Sequence, residues 1–445
     1  MNAVTGARPV EVRIGRFLTL ALPVMAANIT EPLIGIIDTA AIGQLGDVSL
    51  LGAVALSAVL FEFLFWGLGS LRMSTAGLTA QALGAGDDRE IAIALGRALL
   101  LALVIGGLLV ILQKPIIIVA MMVFTPSAQV AEAAQTYIAI RIWSAPFALM
   151  NYAILGSLVG QGRTGIGLFV QVAINLTKIA LTILAVSILG GGIAGAAIAT
   201  VIAECIGTSI GLIVSARLGA LRSNLTAREL FQPTALGRML AVNRDVAIRT
   251  CALLIAFIIF TAQGSKRGDV TLAANGVLYQ IFLAAAYVLD GFATAAEQMC
   301  GQALGSGDAC SFRQASRLSV GFSFVFGIVL SIVLFGTGAL FIDMLTTKEI
   351  IRAEAYLYLP LAALTPFAGA AAFAYDGIYA GATWTRAMRN LMLIALTLFM
   401  LVIYTGSLFG AFGLWIAMLV FLATRGIGQA LFYNRLFAQS FATRA

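Results

Sequence analysis

Gln81-Ala82-Leu83-Gly84-Ala85-Gly86-Asp87 returns 221 residues further along the chain as Gln302-Ala303-Leu304-Gly305-Ser306-Gly307-Asp308. Two other stretches return at nearly the same distance. Gly46-Asp47-Val48 reappears as Gly268-Asp269-Val270, and Ala145-Pro146-Phe147 as Thr365-Pro366-Phe367, at offsets of 222 and 220. Three matches at nearly one offset mean a duplicated chain. The residues around them say what was duplicated. Of 445 residues, 61% are apolar and only 11% are charged, with a mean hydropathy of +1.00. A soluble protein carries roughly twice that share of charge. So few charges cannot cover a surface facing water, and the surrounding medium is lipid.

Apolar runs bounded by charges and glycines give twelve spans, near 14–42, 51–81, 91–112, 130–158, 165–188, 193–216, 239–262, 271–302, 314–343, 353–381, 388–406 and 410–433. About 20 apolar residues cross a bilayer. Six spans fall in each copy, and an even number brings both copies into the membrane from the same side. The expected fold is an all-α polytopic membrane protein. Its twelve transmembrane helices form two six-helix bundles related by a pseudo-twofold axis along the membrane normal. Residues 1–216 make an N-terminal lobe, helices 1–6. Residues 217–238, with Arg217, Arg222, Arg228 and Arg238, make a cytoplasmic linker. Residues 239–445 make a C-terminal lobe, helices 7–12. Duplicated bundles flanking a cavity are a transporter architecture, in which one bundle rocks against the other.

With both termini cytoplasmic, inner loops and tails collect seventeen Lys and Arg, Arg97, Arg389 and Arg425 among them, against five outside. That asymmetry sets the orientation, and it accounts for the net charge of +7 without a nucleic-acid partner. The first apolar run is too long for a cleavable signal and carries Asn28, Glu31 and Asp38. The chain is predicted to span the membrane many times as a monomer, with the bilayer as a partner. It has no histidine, which removes the usual proton shuttle at neutral pH and leaves carboxylates to carry protons. Its four cysteines form no C-x-x-C pair, so neither a metal site nor a disulfide framework is expected. No P-loop and no G-x-S-x-G elbow occurs, so no catalytic residues are assigned and enzyme chemistry is not expected. A channel would need a pore-lining ring, usually built by an oligomer, whereas two lobes imply one cavity per chain.

Leu20-Ala21-Leu22-Pro23, Asn28-Ile29-Thr30-Glu31-Pro32-Leu33-Ile34-Gly35 and Asp38-Thr39-Ala40-Ala41-Ile42-Gly43 together resemble the first helix of the multidrug and toxic compound extrusion (MATE) family. Leu71-Arg72-Met73-Ser74-Thr75-Ala76-Gly77-Leu78-Thr79-Ala80-Gln81, Asn243-Arg244-Asp245 with Arg249, Leu289-Asp290-Gly291-Phe292 with Glu297, and Asp376-Gly377-Ile378 resemble its DinF-like branch. The likeness runs in order from residue 16 to about 390. It implies export of hydrophobic or cationic organic compounds in exchange for protons or sodium, with the ion gradient in place of any cofactor. A lipid-linked precursor flippase of the same superfamily is the alternative, although extra helices and a strongly cationic cavity are not evident.

Charges at membrane depth are the candidate sites, because each costs at least about 2.5–3.5 kcal/mol there. The resemblance places the principal coupling acid at Asp38 and a kink at Pro23. Proline weakens a helix locally, and Pro32 offers a second weak point. Protonation of Asp38 is expected to couple to bending of the first helix. Glu31, two turns from Asp38 on the same face, is either a second titrating group or a structural partner of Lys178. In the fifth helix the family reads Asn-x-x-x-Asp, and aligning on Asn175 puts Lys178 at its Asn and Thr182 at its Asp. Thr200 then falls on the family's threonine in the sixth helix. Lys178 is either half of a switching ion pair with Asp38 or Glu31, or a static charge partner. A lysine in place of oxygen ligands favours proton over sodium. In the second lobe Asp245 and Arg249 are spaced to pair at i,i+4, and Asp290, Glu297 and Asp376 are expected to line a polar patch. Arg72, Arg141 and Arg244 are taken as snorkelling near helix ends. Glu62 and Glu204 have no assigned partner.

Overall fold

The computed structural model describes residues 10–43, 48–221, 225–405, 410 and 412–442; the side chains of residues 29, 31–43 and 48 lie outside that description. The described chain is helical. In order it forms α1 Ile14–Gly43, then α2 Ser49–Gly84, α3 Asp88–Ile111, α4 Gln113–Phe124, α5 Ala128–Gly160, α6 Thr164–Ile188 and α7 Gly192–Arg217. A four-residue helix, α8 Ala227–Leu230, precedes α9 Pro233–Ser265, α10 Asp269–Ser306 and α11 Ala309–Leu345. The chain ends with α12 Glu349–Ala363, α13 Thr365–Gly381, α14 Thr385–Thr405 and α15 Phe412–Ala442. Each of the twelve expected spans falls on one of these helices or, near 353–381, on the pair α12 and α13. Ten of the described helices are long and apolar enough to cross a bilayer, and α12 with α13 makes a further span bent by 42°. The helix α4 was not expected. At 12 residues it is too short to cross, and it exposes Ile118, Val119, Met122 and Val123, which suits a lipid-facing position.

The repeated heptapeptide turns out to be a helix stop followed by a helix start. Gly86 and Gly307 sit at φ 73° and 74°, a left-handed conformation that only glycine adopts without strain. Asp87 and Asp308 then cap α3 and α11, each carboxylate accepting a backbone N–H three residues on, from Glu90 and from Ser311, both at 2.9 Å. These bonds satisfy donors that a helix start otherwise leaves open. The repeated proline marks a break. Before Pro146 the helix α5 tightens into a 3-10 turn at Ile142–Ser144, and before Pro366 the chain bends at Leu364. Proline lacks the N–H and crowds the preceding turn.

The duplication also governs packing. In one copy Gly156 and Gly160 of α5 press on the backbone of α2 at Arg72 and Ala76. In the other Gly377 and Gly381 of α13 press on α10 at Ala293 and Glu297. All four positions repeat at an offset of 221. A Cβ at any of them would collide with a carbonyl oxygen, so small residues one turn apart let backbones meet, as membrane helices commonly do.

The chain divides into two compact units. One comprises Ala26–Ala82 and Asp87–Leu240. Its cores include Phe61, Tyr137, Ile138 and Ala197, and Leu71, Ala98, Leu149 and Met239. In it α8 is fastened to α3. The buried Arg97 donates to the carbonyls of Glu229 and Leu230 at 2.7 and 3.3 Å, and Arg89 pairs with the Glu229 carboxylate at 2.7 Å. The other comprises Met1–Met25, Leu83–Gly86 and Ala241–Ala445. Its core gathers Phe260, Leu278, Phe399, Trp415 and Phe421. The first turns of α1 belong here, with Phe17 stacked on Phe292 at 5.9 Å and Met25 against Gly291.

Candidate functional site

Two polar networks lie within the long apolar helices, one in each unit. In the unit of residues 26–82 and 87–240, α6 presents a ladder of polar side chains at helical spacing. Gln171 donates to Asn175 at 3.1 Å, and Asn175 donates in turn to the Thr30 hydroxyl of α1 at 2.9 Å. Lys178 follows one turn on, half-buried. Thr182 is fully buried, and its hydroxyl meets no partner among the described residues. On α7 the buried Thr200 hydroxyl turns back to the Ala196 carbonyl at 3.2 Å.

The same unit supplies a partner for Glu204. Its carboxylate accepts a hydrogen bond from Asn151 at 2.7 Å, and Lys178 and Arg141 act on it electrostatically. Arg141 is therefore not a snorkelling residue at a helix end. It lies well inside α5 at the 3-10 turn, with its guanidinium 4.4 Å from the centre of the Phe61 ring. A cation over an aromatic face gains about 0.5–2 kcal/mol, which offsets part of its burial.

In the other unit the expected Asp245–Arg249 pair is replaced by two separate clusters. Asp245 binds Arg244 at 3.0 Å and Arg389 of α14 at 2.6 Å. Arg249 instead reaches Asp376 of α13. Helical spacing allowed the i,i+4 pair, but α13 and α14 each bring a better-placed partner. Asp376 accepts three hydrogen bonds. One carboxylate oxygen, Oδ2, accepts from Arg249 and from Arg425 of α15, the latter at 2.7 Å. The other, Oδ1, accepts from Gln429 at 2.7 Å. All four side chains are buried. Tyr379 fixes the local backbone by donating to the Gln429 carbonyl at 2.6 Å.

Arg425 thus belongs to a buried site and not to the cytoplasmic loops. It lies near the middle of α15, 4% exposed. A trace of it was present in the sequence. Arg425 stands where Glu204 stands in the first copy, each two residues before an Ile-Gly pair. Of the expected polar patch, Asp376 is in this cluster. Asp290 is half-buried and Glu297 buried on α10, while the hydrogen bonds to Asp376 come from α9 and α15. Among the described residues no three Cys, Asp or Glu converge as a metal site. The backbone of α1 is helical through Pro23 and Pro32. The side chains of Glu31, Pro32 and Asp38 lie outside the described residues.

Comparison with known proteins places this arrangement. The MatE family model matches residues 23–184 and 246–405, one segment in each copy of the repeat. The chain is 38% identical over 419 residues to DNA damage-inducible protein F of Escherichia coli strain K12, covering 94% of this chain and 91% of that protein. It is 26% identical over 436 residues to the chloroplastic Protein DETOXIFICATION 44 of Arabidopsis thaliana, covering 93% and 81%. Its fold matches a crystal structure of MATE in the bent conformation, with a TM-score of 0.88 at 18% identity over 100% of this chain and 99% of that one. It also matches MATE in the straight conformation, with a TM-score of 0.85 at 18% identity over 99% of both chains.

Proposed function

The chain belongs to the MatE family, and from that premise we propose that it is a proton-driven antiporter exporting hydrophobic or cationic organic compounds. Export proceeds by alternating access, and the chain works as a monomer in the cell inner membrane with both termini cytoplasmic. The lobes are residues 1–216 and 239–445, and 217–238 is their cytoplasmic linker. Protonation of Asp38 drives the change of state and α1 bends near Pro23, with Pro32 as a second weak point and Glu31 as an auxiliary acid.

The observation that supports this reading is the bond from Asn175 to Thr30. It ties the polar ladder of α6, with Lys178 and Thr182, directly to α1. Thr30 is eight residues before Asp38, about 12 Å along a helix, so a change of charge at Asp38 acts on a helix already held by that ladder. Buried polar contacts of this kind are worth about 1 kcal/mol each in a membrane. That is enough to bias a bend without fixing it.

A lysine within this ladder, where oxygen ligands would suit sodium, favours proton coupling. Sodium coupling is the alternative, and dye efflux from everted vesicles separates the two. With proton and sodium gradients imposed singly, efflux should follow the proton gradient, and Asp38→Asn should abolish it. Full efflux by Asp38→Asn would refute the coupling scheme, and efflux driven by sodium alone would replace its ion.

A further inference from the structure

Arg249, Asp376 and Arg425 put two guanidinium groups on one carboxylate, all within the helices α9, α13 and α15. The cluster carries one positive charge more than it balances. Each arginine also holds its Nε buried with no acceptor among the described residues. Arg425 is 4% and Arg249 9% exposed, so bulk water serves neither. Two separate deficits meet here. An uncompensated buried charge is strongly destabilising, and each buried unmet donor has its own cost. One anionic oxygen group would remove both. The fork of a guanidinium matches a carboxylate and similar oxyanions in particular.

We propose that Arg249 and Arg425 form a binding site for a singly charged oxyanion, such as the carboxylate of an exported amphipathic acid, with Asp376 as the resident group that holds the forks when no ligand is bound. The neutral Gln429 on Asp376 Oδ1 lets the carboxylate swing without stranding a second charge. The bound anion takes the outer N–H groups that Asp376 holds at rest and reaches the orphan Nε atoms beside them. This site extends the export reading to acidic cargo, yet its binding chemistry needs no gradient.

The test is the thermal midpoint of the purified full chain in detergent, titrated with benzoate, chloride or phosphate at constant ionic strength. A ligand that binds only the folded state raises the midpoint with concentration. A saturable rise with benzoate is expected, weakened at least tenfold in apparent affinity by Arg425→Gln or Arg249→Gln. Asp376→Asn removes the internal competitor and should tighten benzoate at least tenfold. Arg425→Lys, which keeps the charge without the fork, guards against a loss of fold and should lie between wild type and Arg425→Gln. A response to benzoate alone identifies an organic carboxylate, an equal response to phosphate identifies a free inorganic oxyanion, and an equal response to chloride overturns the oxyanion site. The proposal is overturned if no anion gives a saturable rise in wild type or in Asp376→Asn. It is also overturned if both arginine variants bind benzoate as wild type does, or if Glu297→Gln and not Asp376→Asn tightens binding. Efflux plays no part in these readings, so failure of the antiport scheme would leave them intact.

Discussion

Glu204 and Arg425 stand at the same position of the last helix in the two copies of the repeat, 221 residues apart, and they carry opposite charges. Each is held by a partner on the proline-containing span of its own copy, Glu204 by Asn151 of α5 and Arg425 by Asp376 of α13. Duplication supplied one scaffold twice, and the buried electrostatics then diverged in sign.

The Asp245–Arg389 contact, at 2.6 Å with Asp245 almost wholly buried, should be energetically real, whereas Asp245 and Arg249 should be independent. A double-mutant cycle on unfolding should give about 1–3 kcal/mol of coupling for the first pair and below about 0.5 kcal/mol for the second. Equal coupling for both pairs would restore the i,i+4 pairing read from spacing.

Glycines at the helix seams should separate sharply from glycines elsewhere. Gly377→Ala pushes a methyl group into the Ala293 carbonyl, while Gly276→Ala meets open space. The first should cost about 1–3 kcal/mol through overpacking, and the second should be neutral or stabilising by about 0.5–1 kcal/mol, as helix propensity favours alanine. Thermal melts in detergent decide this, and equal midpoints for the two variants would count against the seam.

The fastening of α8 should fail in acid. The hydrogen bond from Arg89, with those from the Thr226 side chain and backbone, holds the Glu229 carboxyl down at about 2. A carboxyl whose folded value is depressed contributes fully above its unfolded value of about 4.5, and that contribution is lost as the pH falls toward 2. Cleavage of segment 217–238 by an acid protease should therefore accelerate over that window. Arg89→Gln should be cut readily at both ends of it. A cleavage rate unchanged from pH 4.5 to 2 in the parent would remove the role of Glu229.

Lys178 should shape the response of export to pH. It acts electrostatically on Glu204 and shares α6 with the Asn175 bond to α1. Lys178→Ala should move the pH profile of dye efflux, and Lys178→Arg should largely restore it. An unmoved profile with normal rates would make Lys178 a passive counter-charge.

How much of this was readable beforehand depended on the type of interaction. The duplicated heptapeptide foretold the architecture because its glycine and aspartate do local work, ending one helix and starting the next within seven residues. The twelve spans followed from hydropathy for the same local reason. Ion pairing did not follow, because it is decided between helices distant in sequence. Asp245 found Arg389, and Arg249 found Asp376, across 144 and 127 residues. Arg425 was misplaced for a related reason. A tally of loop arginines assigns charge by position along the chain, whereas burial in mid-helix follows from who is packed alongside. Offsetting the copies by 221 residues would have set it opposite Glu204 and flagged it.

The glycine seams and the proline breaks occur in the same helix of each copy, about ten residues apart. Where carbonyls and α-carbons touch directly, no side chain can change rotamer to take up a displacement, so that part behaves as a weld. Ten residues away Pro146 and Pro366 leave the helix short of a hydrogen bond, and that part behaves as a joint. Any bending stress put on these spans will be relieved at the joint, and the charged cluster beside the second weld, at Asp376, rides on the stiff part.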